Sequence, residues 1–142
     1  MFSRAEAKKL REEFWISFGK SFPRKWVLYD TKIKDFSFKF YFDQKKAMVT
    51  LDIEDNNLEN RCLYYNKMLS LKQILLTEYL PDAIFEETHI LPNQKEISRV
   101  YVQKYGVNIH NKDSWRETME FLYRTMSQFE SFWFEYEDVI KE

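Results

Sequence analysis

Phe36, Phe38, Phe40 and Phe42 alternate with Ser37, Lys39 and Tyr41, and after Asp43-Gln44-Lys45-Lys46 a second alternation runs through Ala47, Val49, Leu51 and Ile53. A two-residue period belongs to an extended strand, whose successive side chains point to opposite faces. The polar segment between the two runs reads as a hairpin turn. Closing it sets Phe42 against Ala47, Phe40 against Val49, Phe38 against Leu51 and Phe36 against Ile53. Each is an aromatic–aliphatic pair on one face, worth roughly 0.2–1 kcal/mol. Met48, Thr50, Asp52 and Glu54 fall on the other face. Rings stacked on one side of a sheet need an apolar layer above them, and the rest of the chain supplies helices.

Ser3 and Glu6 have the spacing of a capping box, in which each side chain caps the other's backbone N–H. Leu10, Phe14 and Phe18 follow at helical steps with Trp15 beside them, Gly19 suits the C-terminal cap, and Pro23 prevents continuation. Trp26 to Tyr29 reads as a short strand. Asp55-Asn56-Asn57 ends the hairpin and caps a second helix whose stripe is Leu58, Cys62, Tyr65, Leu69, Leu76 and Leu80, interrupted at Gln73 and stopped by Pro81. In that stripe Cys62 reads as a buried, inert thiol. Ile84 to Ile90 and Ile97 to Lys104 read as strands around a Pro92-Asn93-Gln94 turn, and Gly106 ends the second. Asn111 or Ser114 can cap the last helix, and Ser114 with Glu117 repeats the capping-box spacing. Its seam of Trp115, Met119, Leu122, Met126, Phe129, Trp133, Tyr136 and Ile140 is widened by Phe121, Phe132 and Val139. Large rings suit packing on a sheet better than a narrow dimerising seam, although a homodimer is a possible alternative. The expected fold is α+β, a largely antiparallel sheet with helices packed on one face, in the order α-β-β-β-α-β-β-α. Residues 1–142 are expected to form a single domain.

Composition narrows the function. With 13 Phe, 9 Tyr and 4 Trp the chain is too apolar for disorder. No apolar run approaches the roughly 20 residues that cross a bilayer, and Cys62 has no cysteine to pair with. The basic N-terminal helix contains Glu6, Glu12 and Glu13, unlike an organellar presequence. A cytoplasmic protein without membrane association is expected. Two glycines leave little room for phosphate-cradling loops. Cys62, His89 and His110 lack the paired spacing of metal ligands, so no metal or cofactor is expected. Charge is uneven: residues 1–34 hold nine Lys/Arg against four acids, a net of +5, and residues 113–142 hold three against eight, a net of −5. That pattern fits ends that pack together and compensate, two solvated faces, or an anionic partner for the basic half.

Two chemical readings remain. Asp52 and Glu54 lie about 6–7 Å apart on the polar face of one strand, a placement that can hold Mg²⁺. With the order of elements, this is similar to the core of PD-(D/E)XK nucleases, but no Lys stands two residues after either acid. Solvated edge charges are the expected reading. The second is nucleic-acid binding by Arg24, Lys25, Lys32, Lys34, Lys39, Lys45 and Lys46, interleaved with Trp26, Tyr29 and Tyr41. Lysines contact phosphates and rings stack on bases, while a pI near 6.2 weighs against it.

Phe14-Trp15-x-x-Phe18, Ile33 with Phe36-Ser37-Phe38, Ala47-x-Val49-x-Leu51-x-Ile53, Leu63-Tyr64-Tyr65-Asn66-Lys67-Met68-Leu69, Ser98-Arg99-Val100 and the aromatic helix around Trp115 and Phe129 form a pattern. It resembles the bacterial domain-of-unknown-function family 4268 over nearly the whole chain. The resemblance implies a fold and no particular activity. In longer members the domain follows a part similar to a PD-(D/E)XK nuclease, which implies a role near DNA or phage defence. These 142 residues contain no such part. Ser98 and Arg99 are the least core-like positions of the pattern, and Arg99 is a candidate for a partner phosphate or carboxylate, or for a structural pair across the sheet. The expected function is a non-enzymatic interaction domain with a protein or nucleic-acid partner. The alternatives are a nucleic-acid-binding module and a degenerate metal-dependent nuclease.

Overall fold

The expected hairpin forms in the expected register. In a computed structural model that describes residues 2–142, strand β1 (Phe36–Phe42) pairs antiparallel with β2 (Lys46–Ile53), Phe42 opposite Ala47 and Phe36 opposite Ile53. The turn is tied by Asp43, whose carboxylate accepts from the amides of Lys45 (2.7 Å) and Lys46 (2.9 Å). Burial alone would raise that carboxyl, but these bonds and the Tyr41 hydroxyl at 2.7 Å hold it below the ordinary range. A second hairpin, β3 (Ile84–Ile90) and β4 (Glu96–Tyr105), lies beside the first. The sheet order is β1-β2-β4-β3 and every pair is antiparallel. Gly106, at φ +78, turns the chain out of β4 through a region that costs glycine nothing.

Helices α1 (Arg4–Ser21), α2 (Leu58–Ser70), α3 (Lys72–Glu78) and α4 (Trp115–Lys141) surround the core. The ring-to-ring contacts with the sheet lie on one face. Phe14 meets Phe42 at 4.7 Å, Phe18 meets Phe40 at 5.2 Å, Phe129 meets Phe38 at 5.3 Å and Trp133 meets Phe36 at 5.6 Å. Such pairs add about 0.5–1.5 kcal/mol each beyond area burial. The α4 seam is consumed here: Leu122, Met126, Phe129, Trp133 and Ile140 are buried within their own chain. No helix among the described residues is long and apolar enough to cross a membrane.

Several expectations fail locally. Trp26–Tyr29 is not a strand; Val27–Tyr29 form one turn of 3-10 helix, so the sheet has four strands among the described residues. The Val27 amide donates to the buried Glu130 carboxylate of α4 at 3.0 Å and is unavailable to a ladder. The second helix breaks at Leu71, whose backbone (φ −100, ψ 5) leaves the helical region. Its buried stripe is Arg61, Tyr65 and Met68. Leu58 and Leu69 are exposed and Cys62 is only partly buried, so the expected buried thiol is corrected. Arg61 can occupy the inner stripe because its guanidinium donates to the Glu96 carbonyl at 3.0 Å. The Ser3–Glu6 capping box forms, but Gly19 lies inside α1, which ends at a Phe22 cap before Pro23. The Ser114–Glu117 box does not form: Ser114 already has helical backbone, and its hydroxyl oxygen accepts from the Asn108 amide at 3.1 Å while its one proton faces the carbonyls of Asn108 and Asn111. Val139 is exposed and does not widen the α4 face.

Candidate functional site

The second face of the sheet has no helix against its rings, yet its central residues are buried. β2 and β4 are interior strands, so each side chain of β2 has neighbours on both sides. The register sets out rows across this face: Ser37–Asp52–Arg99–Glu86, Lys39–Thr50–Tyr101–Ile84, Tyr41–Met48–Gln103, and Lys46–Tyr105. Asp52 and Glu54 are therefore not a pair of solvated edge charges, and that expectation is corrected: Asp52 is 2% exposed because it sits mid-sheet opposite Arg99.

Asp52 is held by two parallel bonds, Arg99 Nε to Oδ1 at 2.8 Å and Arg99 Nη2 to Oδ2 at 3.1 Å. Lys39 Nζ stands 3.6 Å from Asp52 and donates to Glu54 Oε2 at 2.6 Å. On the other side Arg99 Nη1 is 3.0 Å from His89 Nε2, and His89 Nδ1 is 3.2 Å from Glu86 Oε2. Arginine only donates, so His89 accepts through Nε2 and carries its proton on Nδ1, toward Glu86. The Tyr101 hydroxyl donates to the other Glu86 oxygen. Burial works to raise the Glu86 carboxyl, but the bonds from Tyr101 and His89 prevail and hold it below the ordinary range. Burial first, and then the Glu86 bond, push the Tyr101 phenol up to about 12.

Glu86 and His89 are three apart, which in a regular strand would place them on opposite faces. A register shift between them in β3 brings both to Arg99. The second hairpin also reaches over the face. Its turn residues Leu91, Pro92 and Gln94 line a cleft of about 490 Å³ together with Tyr41, Lys46 and Met48 of the first hairpin, and with His89 and Arg99. Gln94, at φ +72, shapes that turn. Among the described residues no aspartate or glutamate lines the cleft.

The structure divides the sequence candidates. Lys39, Lys46, Asp52, Glu54 and Arg99 come together on this face, with Lys45 in the adjoining turn. Arg24 lies elsewhere, ion-paired to the buried Glu130 and 4.3 Å over the Trp26 ring. Lys32 pairs with Asp30 at 2.8 Å, and Lys25 and Lys34 are exposed outside the cleft lining. Among the described residues no group of three or more His, Cys, Asp or Glu gathers as a metal cage. Both Asp52 oxygens are already engaged by Arg99. Glu86, His89 and Tyr101 were not expected as a unit. The sequence holds no signal for the strand irregularity that joins them.

Fold and site together define an α+β domain that packs helices on one side of a four-stranded antiparallel sheet and an ion-paired network with a cationic cleft on the other. The chain belongs to a family described as a domain of unknown function (DUF4268), whose family model matches residues 10–137. No curated protein and no solved structure matches it.

Proposed function

We propose that this chain is a non-enzymatic interaction domain that recognises its partner with the network-bearing face of the sheet. One observation carries the reading. The carboxylates that could serve metal chemistry, Asp52 and Glu54, are paired with Arg99 and Lys39 at ion-pair distance, so these two acids are held in a preorganised network and are not free to ligate. A metal-dependent hydrolase needs carboxylates free to ligate. Around this network, Tyr41 and Tyr105 are exposed rings and Lys46 adds a charge, features suited to recognition.

The test places a photo-crosslinking residue at Tyr41 and, as control, at Arg116 on the outer side of α4, in the native cell. A discrete adduct from position 41 alone is expected. Adducts from neither position, or from 116 alone, contradict the reading. So does Mg²⁺- or Mn²⁺-dependent cleavage of DNA or RNA that Glu54→Gln abolishes.

Nucleic-acid binding is the second reading. It is favoured by Lys45 and Lys46, which form no ion pair among the described residues, standing near exposed Tyr41 and Tyr105. Fluorescence anisotropy with labelled single- and double-stranded DNA and RNA across a salt series tests it. Steep weakening with salt is expected if phosphates are contacted.

A further inference from the structure

We infer that the cleft beneath the second hairpin's turn is a binding site for a small organic anion, a phosphate or carboxylate carried on a body with an apolar surface. This deepens the proposal that the network-bearing face is a recognition surface, and rests on it.

The charge pattern comes first. Arg99 and Lys46 both line the cleft, and among the described residues no carboxylate does. The Arg99 charge is balanced by Asp52 from below. Among the described residues the Lys46 ammonium has no carboxylate within ion-pair distance; it lies 5.8 Å from the centre of the Tyr105 ring. Asp43, the acid of the same turn, attracts Lys46 from beyond ion-pair distance while its oxygens accept from the Tyr41 hydroxyl and two backbone amides. The cleft lining therefore presents two cations and, among the described residues, no carboxylate, with the Asp43 and Glu86 carboxylates standing behind it.

Donor capacity comes second. A guanidinium has five N–H groups. Arg99 spends three of them, two on Asp52 and one on His89. Two remain on the terminal nitrogens of a side chain that lines the cleft. Asp52 and His89 hold that guanidinium in place, so little rotamer freedom is lost when it accepts a ligand oxygen.

Shape and polarity come third. A volume of about 490 Å³ lies within the range of small-molecule sites. Met48, Ile90, Leu91 and Pro92 supply apolar wall. Tyr41 stands at the rim with its hydroxyl tied to Asp43, which fixes the ring for contact with a flat or apolar body. Apolar wall with a few placed polar groups is the usual composition of a ligand pocket.

His89 makes the inference measurable. The chain has two histidines. His89 touches Arg99 at the cleft, whereas His110 lies against the ring of Phe2, outside the cleft lining. Histidine ring resonances are followed by NMR at constant pH and ionic strength while inorganic phosphate, adenosine 5′-monophosphate and citrate are added separately. A saturable shift of His89, with His110 unmoved, is expected from at least one probe below about 10 mM. Lys46→Glu and Lys46→Gln should weaken that binding, the former about tenfold or more. Lys25→Glu, outside the cleft, should leave it unchanged. Response to phosphate and the nucleotide without citrate identifies a phosphate site, and response to citrate alone identifies a carboxylate site. Three results overturn the inference: no shift with any probe, equal shifts of both histidines, or undiminished binding in folded Lys46→Glu. If the crosslink from position 41 still forms in that case, the recognition reading stands and only the anion site fails.

Discussion

Methionine in place of Arg99 would leave the Asp52 carboxylate at 2% exposure without its two parallel donors. Lys39 is the remaining cation, 3.6 Å away, but its ammonium already donates to Glu54 at 2.6 Å and its side chain is 46% exposed. It compensates only part of the loss. Breaking a buried pair by removing one member costs about 3–5 kcal/mol, because an uncompensated charge stays in a medium that solvates it poorly. Partial relief from Lys39 places Arg99→Met near the lower end, about 3 kcal/mol. For a chain of this size that corresponds to a fall in Tm on the order of 10 °C. Removing both charges has a different outcome. Arg99→Met combined with Asp52→Leu leaves no stranded ion, and replacement of buried pairs by apolar residues is often neutral. The double variant should therefore lie within about 1 kcal/mol of the parent, a coupling of at least roughly 2 kcal/mol between the two positions. Urea unfolding at neutral pH of the parent, both single variants and the double variant measures this cycle. A loss below about 1 kcal/mol in Arg99→Met, or a double variant as unstable as the sum of its parts, would refute the reasoning.

Three further outcomes follow from other parts of the structure. Phe40→Asp puts a carboxylate among Phe18, Trp26 and Trp15 and should abolish soluble folding, so a soluble variant that unfolds cooperatively contradicts the packing. Glu130→Ala removes the acceptor of the Val27 amide and the partner of Arg24, and should cost about 2–3 kcal/mol with faster hydrogen exchange at Val27; unchanged stability and protection would count against this link. Tyr101 ionises near 12 in the folded chain against about 10 when unfolded. Its folded pKa is the higher one, so its contribution is intact below pH 10 and is lost as pH rises toward 12. The fall in stability over that window should be smaller in Tyr101→Phe, and an identical fall in both proteins removes Tyr101 as its cause.

The features legible in the sequence were those set by neighbours along the chain. The period-two rings of β1 and the four-residue turn determine the hairpin register, because a one-residue slip would send every Phe to the wrong face. The Ser3–Glu6 cap and the three-and-four spacing of α4 are equally local, and both appear as read. The site was legible only in part. Asp52, Glu54, Lys39 and Arg99 were each recognisable as candidates. That two of them were a buried pair depended on β4 lying beside β2, a contact between residues 47 positions apart.

By itself, the sequence determined the two hairpins, the first and last helices and the apolar faces that α1, α4 and β1–β2 turn toward each other, since these follow from side-chain period and turn chemistry. Tertiary structure decided the rest. It turned Trp26–Tyr29 from a strand into a 3-10 turn through the Glu130 carboxylate, broke the second helix at Leu71, and used an irregularity in β3 to bring Glu86 and His89 to Arg99. It also carried the second hairpin's turn over Lys46 and Met48, which makes the cleft. Each of these rests on hydrogen bonds or ion pairs between distant segments, whose worth depends on burial, and burial exists only once the sheet and helices have closed around them.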